Sequence, residues 1–451
     1  MNYHKAFIGC ALLLQATFIH ALRAETGLSV GAAAVALEAD DAMVIGGSIH
    51  AGYLKGQEGE LRATAVVLRQ ADQGTVAIVA CDILMIRRDL LDPVVDEIER
   101  KLNIPASNVL INATHTHHAP STCTVHGYER DEVFCKRVQR GIVEAVTLAH
   151  ARLGTNADDR FLFRLGQEAS VGMNSRLLLS DNTIFWTGPR EDVVRPTGPF
   201  DPDLPVLAFR GPDSGLKALI FNHSTHTIGK RESGKRSPSF YGLAAQELEA
   251  EHGGTVCFLE GASGSTHNLG LTCDEMVVRI KAAVNDALPK AQPRPALPLK
   301  AIKRPFTFKV RHFDEDAEEK AVSDYCHKRI ASGAESVIQV FRDQREVLRP
   351  QQGQQRETWI QAMRIGDVVW VGVPAEFFTV LGIEIKRQSP FRYTYIAELA
   401  NDWIGYLPDR EAHALGGYQT WTGLHSYAEP GTGERMVDAV VELLGELQQL
   451  P

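Results

Sequence analysis

Two histidine-rich segments each follow an apolar, strand-like run of the sequence. His115, His117 and His118 follow one run, and His223 and His226 follow another. In extended backbone, alternate side chains point to the same side, so His115 and His117 could meet one ion or one substrate, whereas His118 faces away. Imidazole is a common zinc ligand, and a catalytic zinc site combines about three protein ligands with an open position. The pattern predicts a metal or acid–base site and leaves open which histidine of the second segment reaches it.

Other motifs of catalysis or metal binding do not match. Residues 261–265 read Gly-Ala-Ser-Gly-Ser, which is not the spacing of a nucleophile elbow and lacks the lysine of a phosphate-binding loop. There is no H-E-x-x-H segment and no C-x-x-C pair among the seven cysteines. Cys123 and Cys135 are a candidate disulfide pair, and Cys81 and Cys257 are predicted to be buried thiols in strands.

The histidine segments lie where a strand–helix alternation would place strand ends. Residues 75–80 and 108–113 have strand patterns, and residues 89–102 and 132–153 have helical spacing. The alternation returns with strands at 216–221 and 255–259 and helices at 241–251 and 274–288. Sites in open α/β sheets lie beyond the carboxyl ends of the strands. We therefore predict an α/β fold with a mixed sheet flanked by helices and a zinc site at the strand C-terminal ends.

The last third of the chain continues the alternation after a proline-rich connector near residues 290–300. A strand at 306–310, a helix at 314–332, a hairpin over 358–373, a helix at 376–386, a strand at 393–397 and a helix at 434–448 are predicted. No internal repeat is evident in the sequence. We expect residues 25–451 to form one hydrolase domain, with the last third as a lobe or an added layer.

The N-terminus and the charge indicate where the protein acts and what it does not bind. Residues 1–24 have the pattern of a cleaved signal peptide, which predicts export to a periplasm or to the medium; an uncleaved anchor is the alternative. The net charge is −9 and no run rich in Lys and Arg stands out, so a nucleic-acid partner is not expected.

From about Gly47 onwards, the chain resembles the catalytic domain of the neutral, non-lysosomal ceramidases. The segments that carry the resemblance are NVLINATHTHHAP, FNHSTHTIG, FLEGASGSTHN, GVPAEFFTVLG and NDWIGYLPDREAH, in this order. The resemblance implies an α/β catalytic domain that contains one zinc ion. It also implies that this domain hydrolyses the amide of an N-acylated sphingoid base. The implied zinc ligands are His115, His223 (with His226 as the alternative), Glu376 and Tyr406.

The resemblance also implies the roles of residues around the ion. His117 and Tyr406 are the expected catalytic residues, with His117 placed to stabilise an oxyanion or to give a proton to the leaving amine. Asn174 and Arg176, in an Asn-Ser-Arg segment, stand where the family has an Asn-Arg pair that helps to bind the substrate. His267 is a candidate lining residue.

Departures from the family leave the substrate open. No immunoglobulin-like domain is expected after the catalytic one, and the serine that touches the head group in the family has no counterpart. We expect a small or lipid-like N-acyl substrate. Peripheral contact with a membrane is possible in either case, and the sequence does not determine the oligomeric state. The alternatives are a zinc esterase or another hydrolase on the same scaffold, or an exported binding protein without catalysis.

Overall fold

The structure is a computed structural model that describes residues 27–70, 74–268 and 270–450. The predicted signal peptide, residues 1–24, lies outside the described residues. Within these ranges, no helix combines the length and the apolar character needed to cross a membrane.

One topological unit occurs three times along the chain. In each unit, three strands form an antiparallel meander, a helix crosses to a fourth strand that is parallel to the third, and a closing helix follows. The first unit contains β1 (Leu28–Ala36), β2 (Arg62–Gln70), β3 (Gly74–Cys81), α1 (Arg88–Leu102), β4 (Val109–Ala113) and α2 (Glu132–Ala151).

The second unit repeats this order with insertions after its first strand and after its fourth. The elements are β5 (Arg160–Gln167), β6 (Met173–Asn174), β7 (Leu177–Leu179), β8 (Val193–Pro196), β9 (Asp203–Arg210), β10 (Leu216–His223), α3 (Ser239–His252), β11 (Thr255–Glu260), β12 (Thr266–His267), α4 (Cys273–Ala287) and β13 (Gln292–Pro293). The sheet is extended at the β5 edge by β13 (order β11-β10-β9-β5-β13), and β6 pairs with β12 and β7 with β8.

The third unit carries a helical pair between its first two strands. The elements are β14 (Leu299–Lys309), α5 (Glu315–Arg329), α6 (Ala334–Leu348), β15 (Gln355–Ile365), β16 (Val368–Gly372), β17 (Glu376–Phe377), α7 (Thr379–Gln388), β18 (Tyr393–Ala397), β19 (Tyr406–Leu407), α8 (Arg410–Leu415) and α9 (Thr432–Gln449). The sheet has the order β14-β15-β16-β18, and the short strands β17 and β19 form a separate parallel pair.

The inner faces of the three sheets share one apolar core, and helices cover the outer faces. Strand β3 shows why: Val76, Ile78 and Ala80 point into the shared core, whereas Ala77 and Val79 pack against the helices outside. Alternate residues of a strand point to opposite faces, so a strand that is apolar throughout is buried on both sides. The second sheet packs on α3 and α4, and the third on α7 and α9.

The α/β class and most of the predicted elements are confirmed, but the single predicted sheet is wrong. The structure has three mixed sheets of the same topology, a repetition that is visible in the order of elements and not in the residues. The predicted helix 314–332 ends at Arg329, and a second helix that was not predicted starts after Gly333, whose φ of 79° favours glycine. The helix predicted from Glu376 begins at Thr379 instead.

All six cysteines of the described residues are free and buried. This confirms Cys81 and Cys257 as buried thiols and shows that the candidate pair Cys123 and Cys135 is not bridged. The Cys123 thiol faces the Met85 carbonyl, and burial raises the pKa of both thiols of that pair well above the ordinary range.

A ring of buried hydrogen bonds joins the three fourth strands at their carboxyl ends. The Asn112 side chain donates to the Glu398 carbonyl, the Glu398 amide donates to the Glu260 carbonyl at 3.0 Å, and the Glu260 amide donates to Asn112 Oδ1 at 3.0 Å. Each unit supplies one member of the ring. The ring therefore holds together the ends of the sheets from which the histidine segments emerge.

We expect Asn112→Ala to lower the free energy of unfolding by about 2–4 kcal/mol, because two buried backbone groups each lose a partner. Urea denaturation followed by circular dichroism measures this change. Asn156→Ala, at an exposed loop position, is the matched control and should change the free energy by less than about 0.5 kcal/mol. A loss for Asn112→Ala as small as that of the control would contradict the role of the ring.

Candidate metal centre and active site

The first histidine segment leaves β4 in a strained conformation. His115 has a φ of 62°, in the left-handed region that side chains other than glycine seldom adopt. Its Nδ1 lies 2.8 Å from the Leu84 carbonyl, and Nδ1 of His117 lies 3.0 Å from the Gly47 carbonyl. A carbonyl only accepts, so both rings donate through Nδ1 and present an unprotonated Nε2. The predicted convergence is observed, although the backbone is not extended.

Glycine at position 47 leaves room for the His117 ring. A Cβ atom on Gly47 would lie 2.6 Å from His117 Nδ1, and the φ of this residue is +100°. Both the close approach and the backbone conformation require glycine. The Gly47 carbonyl thus reaches the ring and fixes its orientation.

His223, the first choice for the second imidazole ligand, lies away from the other candidates. It is the last residue of β10, and its side chain follows Leu219 and Phe221 on the face that α3 covers. There its Nδ1 lies 2.5 Å from the Tyr241 hydroxyl and its Nε2 lies 2.9 Å from the Glu168 carbonyl. The strand alternation therefore directs this imidazole into the helix-covered layer and away from the strand ends.

The alternative, His226, reaches the candidate site three residues further on. Its Nδ1 lies 2.8 Å from the Ser263 carbonyl, so in its neutral form this ring also presents an unprotonated Nε2. Ser263 belongs to the Gly-Ala-Ser-Gly-Ser turn, and the next amide, that of Gly264, donates to the Phe377 carbonyl at 3.0 Å. The turn thus orients a histidine and anchors the segment that contains Glu376.

Glu376 and Tyr406 are neighbours because their two short strands pair. In the parallel pair of β17 and β19, Glu376 lies opposite Tyr406. The indole nitrogen of Trp403 donates to Glu376 Oε1 at 3.1 Å and leaves Oε2 turned toward the histidines. This contact orients the carboxylate in the way that outer hydrogen bonds orient metal ligands.

Four hydrogen-bond acceptors meet at this point. The Nε2 atoms of His115 and His117 are 3.4 Å apart, and Glu376 Oε2 lies 3.5 Å from His115 Nε2 and 3.4 Å from His226 Nε2. The Tyr406 hydroxyl lies 3.0 Å from His226 Nε2. With zinc–ligand bonds of about 2.0–2.1 Å, two ligand atoms of a tetrahedral site are about 3.3 Å apart. The donor set and its spacing fit a zinc ion.

The surroundings favour the ligand forms of these groups. Burial, with His226 nearby, lowers the pKa of His115 to about 4, and burial beside the other two imidazoles holds the pKa of His117 well below its usual range. Burial opposes ionisation of Glu376, but the neighbouring imidazoles and the Tyr406 hydroxyl lower its pKa to about 2. At neutral pH His115 and His117 are therefore neutral and Glu376 is a carboxylate, which is the state that metal binding requires.

A cavity of about 190 Å³ opens onto the cluster. His117, His226 and Tyr406 line its polar end, and His267, the predicted lining residue, stacks on the His226 ring with centroids 4.1 Å apart. Apolar and aromatic side chains form the other walls, among them Ile49, Phe185, Trp186, Ile228 and Tyr418. The cavity therefore joins a cluster of potential ligands to an apolar space.

Asn174 and Arg176, the predicted substrate-binding pair, do not line this cavity. The Arg176 guanidinium is buried and donates to Gln419 Oε1 and to the carbonyls of Ala412 and Gly416. Asn174 Oδ1 accepts from the Arg176 amide, and both side chains border a separate space of about 140 Å³. In this arrangement Arg176 fixes the loop that contains Tyr418.

Two residues of the site, Tyr418 and His126, were missed in the sequence. Both line the cavity, and the Tyr418 hydroxyl lies 3.0 Å from His126 Nε2. Neither stands in a histidine cluster or at the end of a predicted strand. The only local signal is glycine beside each of them, in His-Gly-Tyr and in Gly-Gly-Tyr.

Comparison with solved structures shows which fold this is. No protein-family model and no curated protein matches the sequence. The neutral ceramidase from Pseudomonas aeruginosa superposes with a TM-score of 0.73 over 94% of this chain and 75% of that chain, at 19% identity. A structure described as ceramidase complexed with C2 gives a TM-score of 0.74, 94% and 76% coverage and 18% identity. The chain therefore has the neutral ceramidase fold, and the resemblance found in the sequence is confirmed at the level of the fold.

We expect His115→Ala and His226→Ala to lower the zinc affinity by more than about a hundredfold, because each would remove a candidate ligand rather than a supporting contact. Elemental analysis after dialysis against dilute zinc measures the bound metal. His118→Ala is the matched control, since its Nε2 accepts from the Gly229 amide and faces away from the site. His223→Asn should also retain zinc if it folds. Zinc loss in His223→Asn together with full occupancy in His226→Ala would reverse the assignment.

Proposed function

We propose that this protein is an exported, zinc-dependent amidohydrolase that cleaves the N-acyl amide of a lipid-like substrate such as a ceramide. One observation carries the proposal. In a chain with the neutral ceramidase fold, three imidazole nitrogens and a carboxylate oxygen converge on one point, and in the neutral rings none of these four atoms carries a proton. The N-terminal pattern supports export. The cavity supports a substrate that has both a polar and an apolar part.

The residues divide into a binding set and a proton-transfer group. His115, His226 and Glu376 would hold the ion, with the Tyr406 hydroxyl as the further oxygen next to them. A zinc ion in this set supplies Lewis acidity, which makes water a stronger acid and polarises a carbonyl. The remaining steps depend on groups of the chain itself.

His117 is placed to move the proton. Its Nδ1–H is engaged by the Gly47 carbonyl, so its free Nε2 faces the cluster and the cavity. This nitrogen can accept a proton from the attacking water and then give it to the amide nitrogen as the C–N bond breaks. The acid and the amine leave as separate products, and His117 returns to its neutral form.

The apolar wall gives the acyl chain a place to bind. Phe185, Trp186 and Ile49 line the same cavity as the imidazoles, and apolar contacts of this kind supply binding energy without directing the chemistry. A substrate could therefore place its carbonyl at the cluster and its chain against the aromatic side.

Zinc analysis and substrate hydrolysis of the purified mature protein test the proposal together. We expect about one zinc ion per chain, release of fatty acid from a ceramide or a related N-acyl compound, loss of activity with a chelator, and recovery when zinc is added. Activity confined to ester analogues would identify an esterase with the same metal centre. Absence of zinc and of hydrolysis would favour a binding protein.

We expect His117→Ala to retain zinc and to lower kcat by about 10²–10⁴-fold, because it removes the proton carrier and leaves the proposed ligands in place. Steady-state kinetics combined with metal analysis of the same sample separates the two effects. His118→Ala serves as the control and should keep the wild-type kcat. Unchanged turnover in His117→Ala would remove its proposed role, and loss of zinc would make it a ligand.

A further inference from the structure

The cavity contains a second kind of histidine, whose proton is on the opposite nitrogen. It belongs to a chain of hydrogen bonds that starts at a backbone amide: the Leu424 N–H donates to Gln344 Oε1 at 2.8 Å. Because a backbone N–H only donates, the oxygen of the Gln344 amide must face Leu424, and its NH₂ group must face the other way. The orientation of the glutamine is thus determined by its surroundings.

The next link determines the tautomer of His126. Gln344 Nε2 lies 3.3 Å from His126 Nδ1, and since the amide nitrogen only donates, Nδ1 must accept. Burial lowers the pKa of His126 well below its usual value, which keeps the ring neutral. The single ring proton is therefore on Nε2, opposite to the arrangement in His115, His117 and His226.

The last link turns the Tyr418 hydroxyl toward the cavity. His126 Nε2–H donates to the Tyr418 oxygen at 3.0 Å, so the hydroxyl proton is free to point elsewhere. Within the described ranges, His126 is the only hydrogen-bond partner of this hydroxyl. Tyr418 lines the cavity beside Tyr406, and the centroids of their rings are 5.8 Å apart. The Tyr418 hydroxyl proton is therefore free to be donated to a molecule bound in the cavity.

The packing around Tyr418 and His126 is consistent with a precise placement. The Tyr418 ring stacks on Trp186 at 4.7 Å and on His425 at 4.9 Å, and His425 Nε2 also contacts the Tyr418 carbonyl at 3.1 Å. His126 has a φ of 56°, and conformations of this kind persist only where the surroundings impose them. The neighbouring amide of Gly127 donates to the Ile49 carbonyl at 2.9 Å and holds this turn.

We propose that Gln344 and His126 are positioning residues that polarise the Tyr418 hydroxyl so that it donates a hydrogen bond to the carbonyl oxygen of the bound substrate. This inference rests on the proposed function for the identity of the acceptor. The chain of donors starts at a backbone amide and ends at the cavity, so its direction is fixed by the fold. A preorganised donor of this kind stabilises negative charge that develops on the oxygen during the reaction.

Kinetics of single and double variants test the relay. Tyr418→Phe is expected to lower kcat by about 10²–10³-fold, and His126→Phe and Gln344→Leu by roughly tenfold to a hundredfold, with little change in KM. His126→Phe should add nothing in the Tyr418→Phe background, because its effect passes through that hydroxyl. Ile338→Val, on the same helix as Gln344, is the control and should stay within about twofold, as expected for a mild core change.

Additive losses in the double variant, or an unchanged kcat in both His126→Phe and Gln344→Leu, would overturn the relay. Gln344→Leu keeps the test valid if His126→Phe does not fold. Nitrogen-15 NMR of histidine-labelled protein gives a readout that does not need turnover: His126 should be the neutral Nε2–H tautomer, and Gln344→Leu should weaken that preference. A Nδ1–H tautomer in the wild type would overturn the proposal even if the protein cleaves amides, and failure to cleave any amide would count against the proposed function alone.

Discussion

Imidazole nitrogens and a carboxylate oxygen lie 3.4–3.5 Å apart in a buried site, and in the neutral form of the rings all of these atoms are acceptors. Such an arrangement is repulsive unless a cation or a proton lies between the groups, and burial strengthens the repulsion because water cannot screen it. The protons are held elsewhere, since His115, His117 and His226 each donate through Nδ1 to a backbone carbonyl. A divalent cation bound between these atoms would relieve the repulsion in this geometry.

The three-sheet architecture explains how such a cluster can form. Each sheet ends in a parallel strand pair, and the carboxyl ends of the three pairs meet at the ring of Asn112, Glu260 and Glu398. Segments that leave these ends carry the candidate ligands, so each candidate lies in a strand or within three residues of one. The fold also imposes unfavourable backbone conformations at the site: His115 is left-handed, and position 47 requires glycine.

The sequence allowed the α/β class, most helices and the first histidine pair to be predicted, because apolar periodicity and strand ends are local signals. It did not separate His223 from His226, since that choice depends on which face of β10 the last strand residue occupies. Glu376 and Tyr406 were reached only through family resemblance, because their pairing in β17 and β19 is a contact between distant segments. Arg176 was expected at the substrate and instead holds a loop, while Tyr418 and His126 gave no signal beyond adjacent glycines.

The protein thus combines two opposite uses of histidine in one cavity: rings that offer Nε2 as an acceptor and one ring that offers Nε2–H as a donor.

X-ray absorption spectroscopy of the purified protein loaded with one equivalent of zinc tests the proposed centre most directly. The account predicts a shell of nitrogen and oxygen ligands at about 2.0–2.1 Å with imidazole scattering that falls in His226→Ala and persists in His118→Ala. A shell that includes sulfur, or one that His226→Ala leaves unchanged, would contradict it.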